Sequence, residues 1–380
     1  MANNVLRRFG LMCLVSLPCS PAIAATAERE AAGTLGDGTV IEAVTLTGAN
    51  RVSARIISFG ATLQSLTAPD RKGELADVLL GFDDAADYAR LPSYFGVTVG
   101  RYANRIAGGR FSLDGKSFQV SQNDKGNALH GGAIGFDKRQ WRIVRVTQGR
   151  QASVTLALTS ADGDQGFPGN VEAKVTYSLD DAGSLTIRFD ATTDRPTVIN
   201  MTNHAIFNLA GEGAPGGALG HRLTIPAGSI TPVDETLIPT GALRPVAGTV
   251  FDFRTARTLD QGIRDGRDPQ IVRARGYDHN FALDKGLTPL PQLAARLDDP
   301  QSGRVLEVLT TEPGVQLYAG NFLDGSVIGK RGHIYRMGDG IALEPQKFPD
   351  APNQPQFASA RVDSDRPYSH IMIYRLSVAP

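Results

Sequence analysis

The 380-residue chain has only two cysteines, Cys13 and Cys19, both within its first twenty residues. Beyond them there is no thiol to serve as a nucleophile, to ligate zinc or an iron–sulfur cluster, or to close a disulfide. Excess charge is missing too. With 39 Lys and Arg against 39 Asp and Glu, no net field draws the chain to a phosphate backbone or an acidic membrane, and nucleic acid is not expected as a partner. Helical patterns are scarce: Asp83 to Arg90 and Ala256 to Ile263 are the best candidates, and both are short. No repeat of blade or solenoid length is visible, which argues against a propeller or a β-helix. Nor does a linker divide the chain, since Gly211 to Gly220, its loosest stretch, has the length of a loop.

The amino terminus is a separate object. Arg7 and Arg8 precede an apolar stretch from Phe9 to Leu17, a break at Pro18 and the small-residue tripeptide Ala22-Ile23-Ala24. These read as the n-region, h-region and cleavage site of a signal peptide over residues 1–24. The apolar stretch is too short to span a bilayer, so no stable membrane insertion of the mature protein is expected. The residues after the Arg pair fit twin-arginine export poorly, and Pro18 before Cys19 is a poor lipid-attachment context. Cleavage after Ala24 on the general secretory route would deliver a periplasmic or secreted protein without cysteine. It would also leave 37 basic against 39 acidic residues once Arg7 and Arg8 are gone.

What remains is strand after strand. Val40 to Leu46, Val52 to Ser58 and Thr62 to Thr67 are short apolar or alternating runs broken by Gly48-Ala49-Asn50 and Gly60, the mark of a meander. Arg110 to Leu113 and Ser117 to Val120 flank Asp114-Gly115, a strong hairpin turn. Further runs lie at Trp141 to Val146, Ala152 to Leu158, Val171 to Leu179, Leu185 to Ala191, Val198 to Met201, Arg304 to Thr310, Val315 to Tyr318 and Ser369 to Val378. Forty-two Gly and 22 Pro supply the turns. The expected fold is all-β, a large antiparallel β-sandwich forming a single domain over residues 25–380.

Five polar islands interrupt the strands: GRYANRI (Gly100 to Ile106), LHGG (Leu129 to Gly132), TNHAIFNL (Thr202 to Leu209), GYDHNF (Gly276 to Phe281) and LEPQKFPDAPNQP (Leu343 to Pro355). Arg101 and Arg105 beside Asn104 could grip vicinal hydroxyls by forked hydrogen bonds, or form a salt-bridged surface turn. His130 precedes two glycines that let a ligand approach backbone and imidazole, or it lies in a plain turn. His204 sits among apolar residues, as a catalyst or a hydrogen-bonded core histidine. Asp278, with His279 and Asn280, is a hydroxyl-binding carboxylate or a turn residue. Glu344 ends an apolar strand before a proline-rich segment. Burial there is costly without a task or a partner, and would raise its proton affinity toward that of a useful base.

Taken together, these islands resemble the aldose 1-epimerases, or galactose mutarotases, from about Thr34 to the carboxyl terminus. The resemblance is carried by GRYANRI, by LHGG followed by Gly135-Phe136-Asp137-Lys138 and Trp141, and by NHAIFNL. Pro232 to Gly241, DHNF, Gly314 to Asn321 and LEPQKFPDAPNQP complete it, all in order. It implies a free aldose as substrate, no metal or organic cofactor, His204 as general acid and Glu344 as general base. It also implies Asn104, Arg105, His130, Asp278 and Gln316 as substrate-binding residues. Three positions depart from the family pattern: Ile206 where a Tyr is frequent, Ala319 for Thr, and Lys347 for His. The implied chemistry is simple. A cyclic aldose opens when a base takes the C1 hydroxyl proton while an acid protonates the ring oxygen, and it closes on either face. The carboxylate is expected to be ionised at neutral pH, and the imidazole pKa to lie near neutrality or above it beside a carboxylate. A glycoside hydrolase using Asp278 and Glu344, and a non-catalytic sugar-binding protein, are the rival readings.

Overall fold

The computed structural model describes residues 1, 25–91 and 93–379. The signal-peptide reading, with Cys13, Cys19 and the Arg pair, lies outside the described residues. Within them no helix is long and apolar enough to cross a membrane.

Strand sequences dominate because residues of alternating polarity can bury one side of a pleated ribbon. Val171–Asp180 shows the pattern: Val171, Ala173, Val175, Tyr177 and Leu179 are buried, while Glu172 and Lys174 are exposed. Three large sheets result among the described residues. The first is a meander of Thr26–Thr34, Val40–Thr47, Ser53–Ile57, Thr62–Pro69 and Leu75–Asp77. The second has nine strands in the order Arg142–Thr147, Gln151–Ser160, Val171–Asp180, Ser184–Thr193, Tyr368–Val378, Arg304–Thr310, Gln292–Asp298, Arg222–Thr224 and Arg257–Thr258. The third runs Ile206–Phe207, Ile341–Gln346, Gly314–Tyr318, Asp278–Ala282, Ser229–Ile230 and Arg244–Pro245. All pairings within these sheets are antiparallel. One apolar cluster draws on all three, with Val44 and Leu46, Val175 and Phe189, and Leu317 and Leu343 among its members. The architecture is the expected large antiparallel β-sandwich.

The Asp-Gly hairpin forms as read. Arg110–Leu113 pairs with Lys116–Gln119, and Asp114 and Gly115 both take positive φ, 51° and 75°, the pair of left-handed residues a type I′ turn needs. Of the two helical candidates, the first is helical over its last turn and the second is not helical. Asp83 to Arg90 yields a single turn, Asp87–Arg90. Ala256 to Ile263 yields the strand Arg257–Thr258 followed by turns, because Leu223 offers it a sheet edge. A short helix, Pro269–Ala274, stands instead where Asp268 caps the amide of Gln270 and Pro269 opens the first turn. Thr26–Thr34, rich in helix-forming Ala and Glu, is an edge strand, held by pairing with Val40–Thr47.

Five histidines, His130, His204, His221, His279 and His370, are buried. Burial pushes His204, His221 and His370 down to about 4, His279 to about 3 and His130 well below its ordinary value. An unfolded chain protonates these rings near pH 6.5 whereas the folded one does not, so stability rises with pH between about 4 and 6.5. Asp137, Asp278, Glu344 and Asp350 are raised by burial and act in the opposite sense, four carboxyls against five imidazoles. The midpoint of thermal unfolding should therefore drop as pH is lowered from 6.5 to 4.5. Differential scanning calorimetry should find a smaller drop in His370→Gln, whose amide takes no proton.

Candidate active site

The third sheet separates chemistry from core by alternation alone. On one face lie Phe281, Val315, Leu317, Ile341 and Leu343, all in the apolar cluster. On the other, Asn280 stands opposite Gln316, and Gln316 opposite Glu344. Asp278 is two residues from Asn280, so it shares that polar face, while His279 is turned to the core, where its Nε2 lies 3.1 Å from Gln270 Oε1. His204 precedes the neighbouring strand Ile206–Phe207, and its Nε2 lies 3.6 Å from Glu344 Oε1.

The first two islands are joined to each other. Arg105–Ile106 and Ala128–Leu129 form a two-stranded ladder with Arg105 opposite Leu129. At its end Asn104 and His130 adopt left-handed φ of 63° and 52°. The Asn104 amide donates to His130 Nδ1 at 3.2 Å, and the His130 amide donates to the Asn104 carbonyl at 3.0 Å. Arg105 donates through Nε to Asp124 Oδ2 at 2.8 Å and brings Nη1 to 4.0 Å from Asp278 Oδ2. Gln316 Nε2 donates to Asp278 Oδ1 at 2.6 Å.

A cavity of about 530 Å3 is lined by Asn104, Arg105, His130, His204, Asp278 and Glu344. Six of the seven expected site residues therefore meet around one space. Gln316 does not line it. Its Nε2 instead holds the Asp278 carboxylate that does line the cavity. Arg101 departs further from expectation. It is buried on the far side of its loop, with the guanidinium donating to the carbonyls of Ser160, Ala161, Pro168 and Gly169 at 2.9–3.0 Å. It grips the scaffold, and of the two arginines in this island Arg105 is the one that faces the cavity.

Aromatic walls were missed in the sequence. Tyr94 sets its ring centroid 4.6 Å from that of His130 and 5.8 Å from that of His204, Tyr318 stands 6.2 Å from His204, and Phe322 stacks on Tyr318. Tyr318 was accessible to the period-two argument, being two residues from Gln316, but Tyr94 lies outside every island. Of the three departures from the family pattern, Ile206 alone lines the cavity, beside Phe95. Ala319 is in the apolar cluster, and Lys347 turns away to bond the buried carboxylate of Glu312 at 2.9 Å.

Burial governs the electrostatics. It holds the Glu344 carboxyl well above the ordinary range, with Asp278 adding repulsion and Arg105 pulling the other way. Burial likewise raises Asp278, opposed by Arg105 and the Gln316 hydrogen bond. His204, expected near neutrality or above, is pushed down to about 4, because the desolvation of an imidazolium at this depth outweighs its neighbours. Burial thus favours a proton on the Glu344 carboxyl and disfavours one on the His204 ring. His130, His204 and Glu344 bring ligand-type atoms within 4.8 Å of one another, yet the polarity is wrong for a metal. The Asn104 N–H fixes His130 Nδ1 as an acceptor, which leaves Nε2 protonated and donating into the cavity.

The aldose 1-epimerase family model matches residues 42–375. The chain belongs to the aldose 1-epimerase family. Its relatives in that family include the galactose mutarotase of Mus musculus, 44% identical over 330 residues, covering 87% of this chain and 92% of the relative. The aldose 1-epimerase of Escherichia coli is 41% identical over 323 residues, covering 84% of this chain and 90% of the relative. Among solved structures, the galactose 1-epimerase of Lactobacillus acidophilus aligns with a TM-score of 0.82 at 28% identity, covering 93% of this chain and 99% of that one. The GalM/aldose epimerase homologue of C. elegans aligns at 0.78 and 33% identity, covering 87% and 96%.

In this epimerase the two arginines of the first island should separate cleanly. Arg101→Met removes the donor from three buried carbonyls, those of Ser160, Pro168 and Gly169, and should cost about 3 kcal/mol or more of stability in urea titration, with KM near that of the parent. Arg105→Ala should raise KM for an aldose, since its guanidinium meets the ligand space.

Proposed function

We propose that the chain interconverts the α and β anomers of free aldoses such as glucose and galactose, with Glu344 and His204 exchanging the two protons of ring opening. The observation that carries this reading is the buried pair at 3.6 Å on the floor of a cavity that also presents Arg105, Asp278 and the His130 N–H. The supporting residues match the ligand. A guanidinium, a carboxylate held by it and a fixed imidazole donor offer hydrogen-bond partners to ring hydroxyls, while Tyr94, Tyr318 and Phe322 flank the space with apolar surface.

One proton shared by the pair is the correct number. With sugar hydroxyls and Arg105 beside Glu344, that proton moves to His204, giving carboxylate and imidazolium. Glu344 then takes the C1 hydroxyl proton as His204 protonates the ring oxygen. The aldehyde turns about its C1–C2 bond, and closure reverses both transfers. The net charge of the site is the same before and after. The signal-peptide-like sequence of residues 1–24 supports a further reading, that a single domain of residues 25–380 works in the periplasm or outside the cell.

Polarimetry of freshly dissolved α-D-galactose and α-D-glucose should show faster approach to the same final rotation with purified protein. Glu344→Gln and His204→Asn should each lose about 10²-fold or more in kcat with an unchanged circular dichroism spectrum. Full activity in either folded variant rejects its assigned role, and release of phenol from an aryl glycoside would favour the hydrolase.

A further inference from the structure

The polar face of the third sheet continues past the cavity. Gln346 is two residues beyond Glu344 on the same strand and stands opposite Gly314. Asn280, opposite Gln316, leans over that glycine: a Cβ on Gly314 would fall 2.4 Å from Asn280 Oδ1 and 2.9 Å from the Phe348 ring. The two residues thus flank Gly314, the one position in the row without a side chain, beside Phe348. Asn280 is 1% exposed and Gln346 0%, yet neither atom of either amide has a hydrogen-bond partner in the protein. Gln316 Oε1, Glu344 Oε2 and the hydroxyl of Thr231 share that condition. Thr231 is tied to the same place, since its N–H donates to the Asn280 carbonyl.

Buried amides left without partners cost about 1–3 kcal/mol for each group, and a sheet that keeps two of them beside its one reactive carboxylate needs a reason. Polar groups in this setting bind internal water, which typically makes about three hydrogen bonds to otherwise unpaired atoms. We propose that Asn280 and Gln346 are positioning residues that hold internal water against Glu344 and so allow its buried carboxylate to carry charge during turnover. The charged and titratable groups that otherwise face Glu344 are His204, His130, Asp278, Arg105 and the phenols of Tyr318 and Tyr374. Of these Arg105 alone stabilises the carboxylate as a fixed positive charge, and it is shared with Asp124 and Asp278. The amide pair supplies the solvation that the apolar surroundings withhold.

The inference rests on Glu344 as the base, and the test separates the two. The pH dependence of kcat is compared for the parent, Gln346→Met, Asn280→Leu and Gly314→Ala, whose methyl displaces the Asn280 amide. The Glu344 carboxylic C=O stretch, identified by its loss in Glu344→Gln, is followed by infrared titration in the same proteins. The acid limb of kcat and the carboxyl band should both move up by about one pH unit, with KM little changed. A limb and band at the parent's pH in folded variants overturn the proposal, even if kcat falls, because a merely structural role lowers rate without moving a titration. Should the variants fail to fold, a high-resolution crystal structure of the parent decides: water bonded to both amides supports the proposal, and its absence overturns it. A fully active Glu344→Gln would reject the base assignment, while the infrared band would still report on the amides.

Discussion

A carboxyl group and an imidazole 3.6 Å apart, buried beside a hydrocarbon core, are the constraint around which the third sheet is arranged. Neither group carries charge cheaply at that depth, and the structure meets the cost with geometry. Strand alternation puts Asp278, Asn280, Gln316 and Glu344 on one face and Phe281, Val315, Leu317 and Leu343 on the other, so a sheet only a few residues wide walls both the cavity and the core. Arg105 reaches the same space from a separate ladder, braced by Asp124. The electrostatics of the site follow from that placement: burial raises the proton affinity of the Glu344 carboxylate and lowers that of the His204 ring.

Much of this was legible before any coordinates. The long strands Gln151–Ser160, Val171–Asp180 and Tyr368–Val378 fall within a residue or two of their apolar runs, because alternation over ten positions leaves little freedom in register. The Asp114-Gly115 turn was fixed by chemistry local to four residues. Six of seven expected site residues line the cavity because the resemblance carried them, while the residues by themselves left His130, His204 and Asp278 open to plain structural explanations. What failed had causes remote in sequence. Arg101 and Arg105 are equivalent on paper, and only the carbonyls of residues some sixty positions away claim the first. His204 was expected to be basic because its carboxylate neighbour was foreseen and its desolvation was not.

The departures from the family pattern divide in the same way. Lys347 and Glu312 answer one another across a buried pair and leave the cavity untouched. Ile206 is different, since it lines the cavity two residues from His204 and faces it with hydrocarbon.

The amide of Asn104 that holds His130 in its neutral form has a consequence for where such a protein can work. Because that ring cannot take up a proton without losing its backbone partner, acid in the surroundings has one fewer way into the reaction. In the proposed cycle both protons pass between Glu344, His204 and the sugar, as suits a reaction whose two end states differ only in the direction of a single bond.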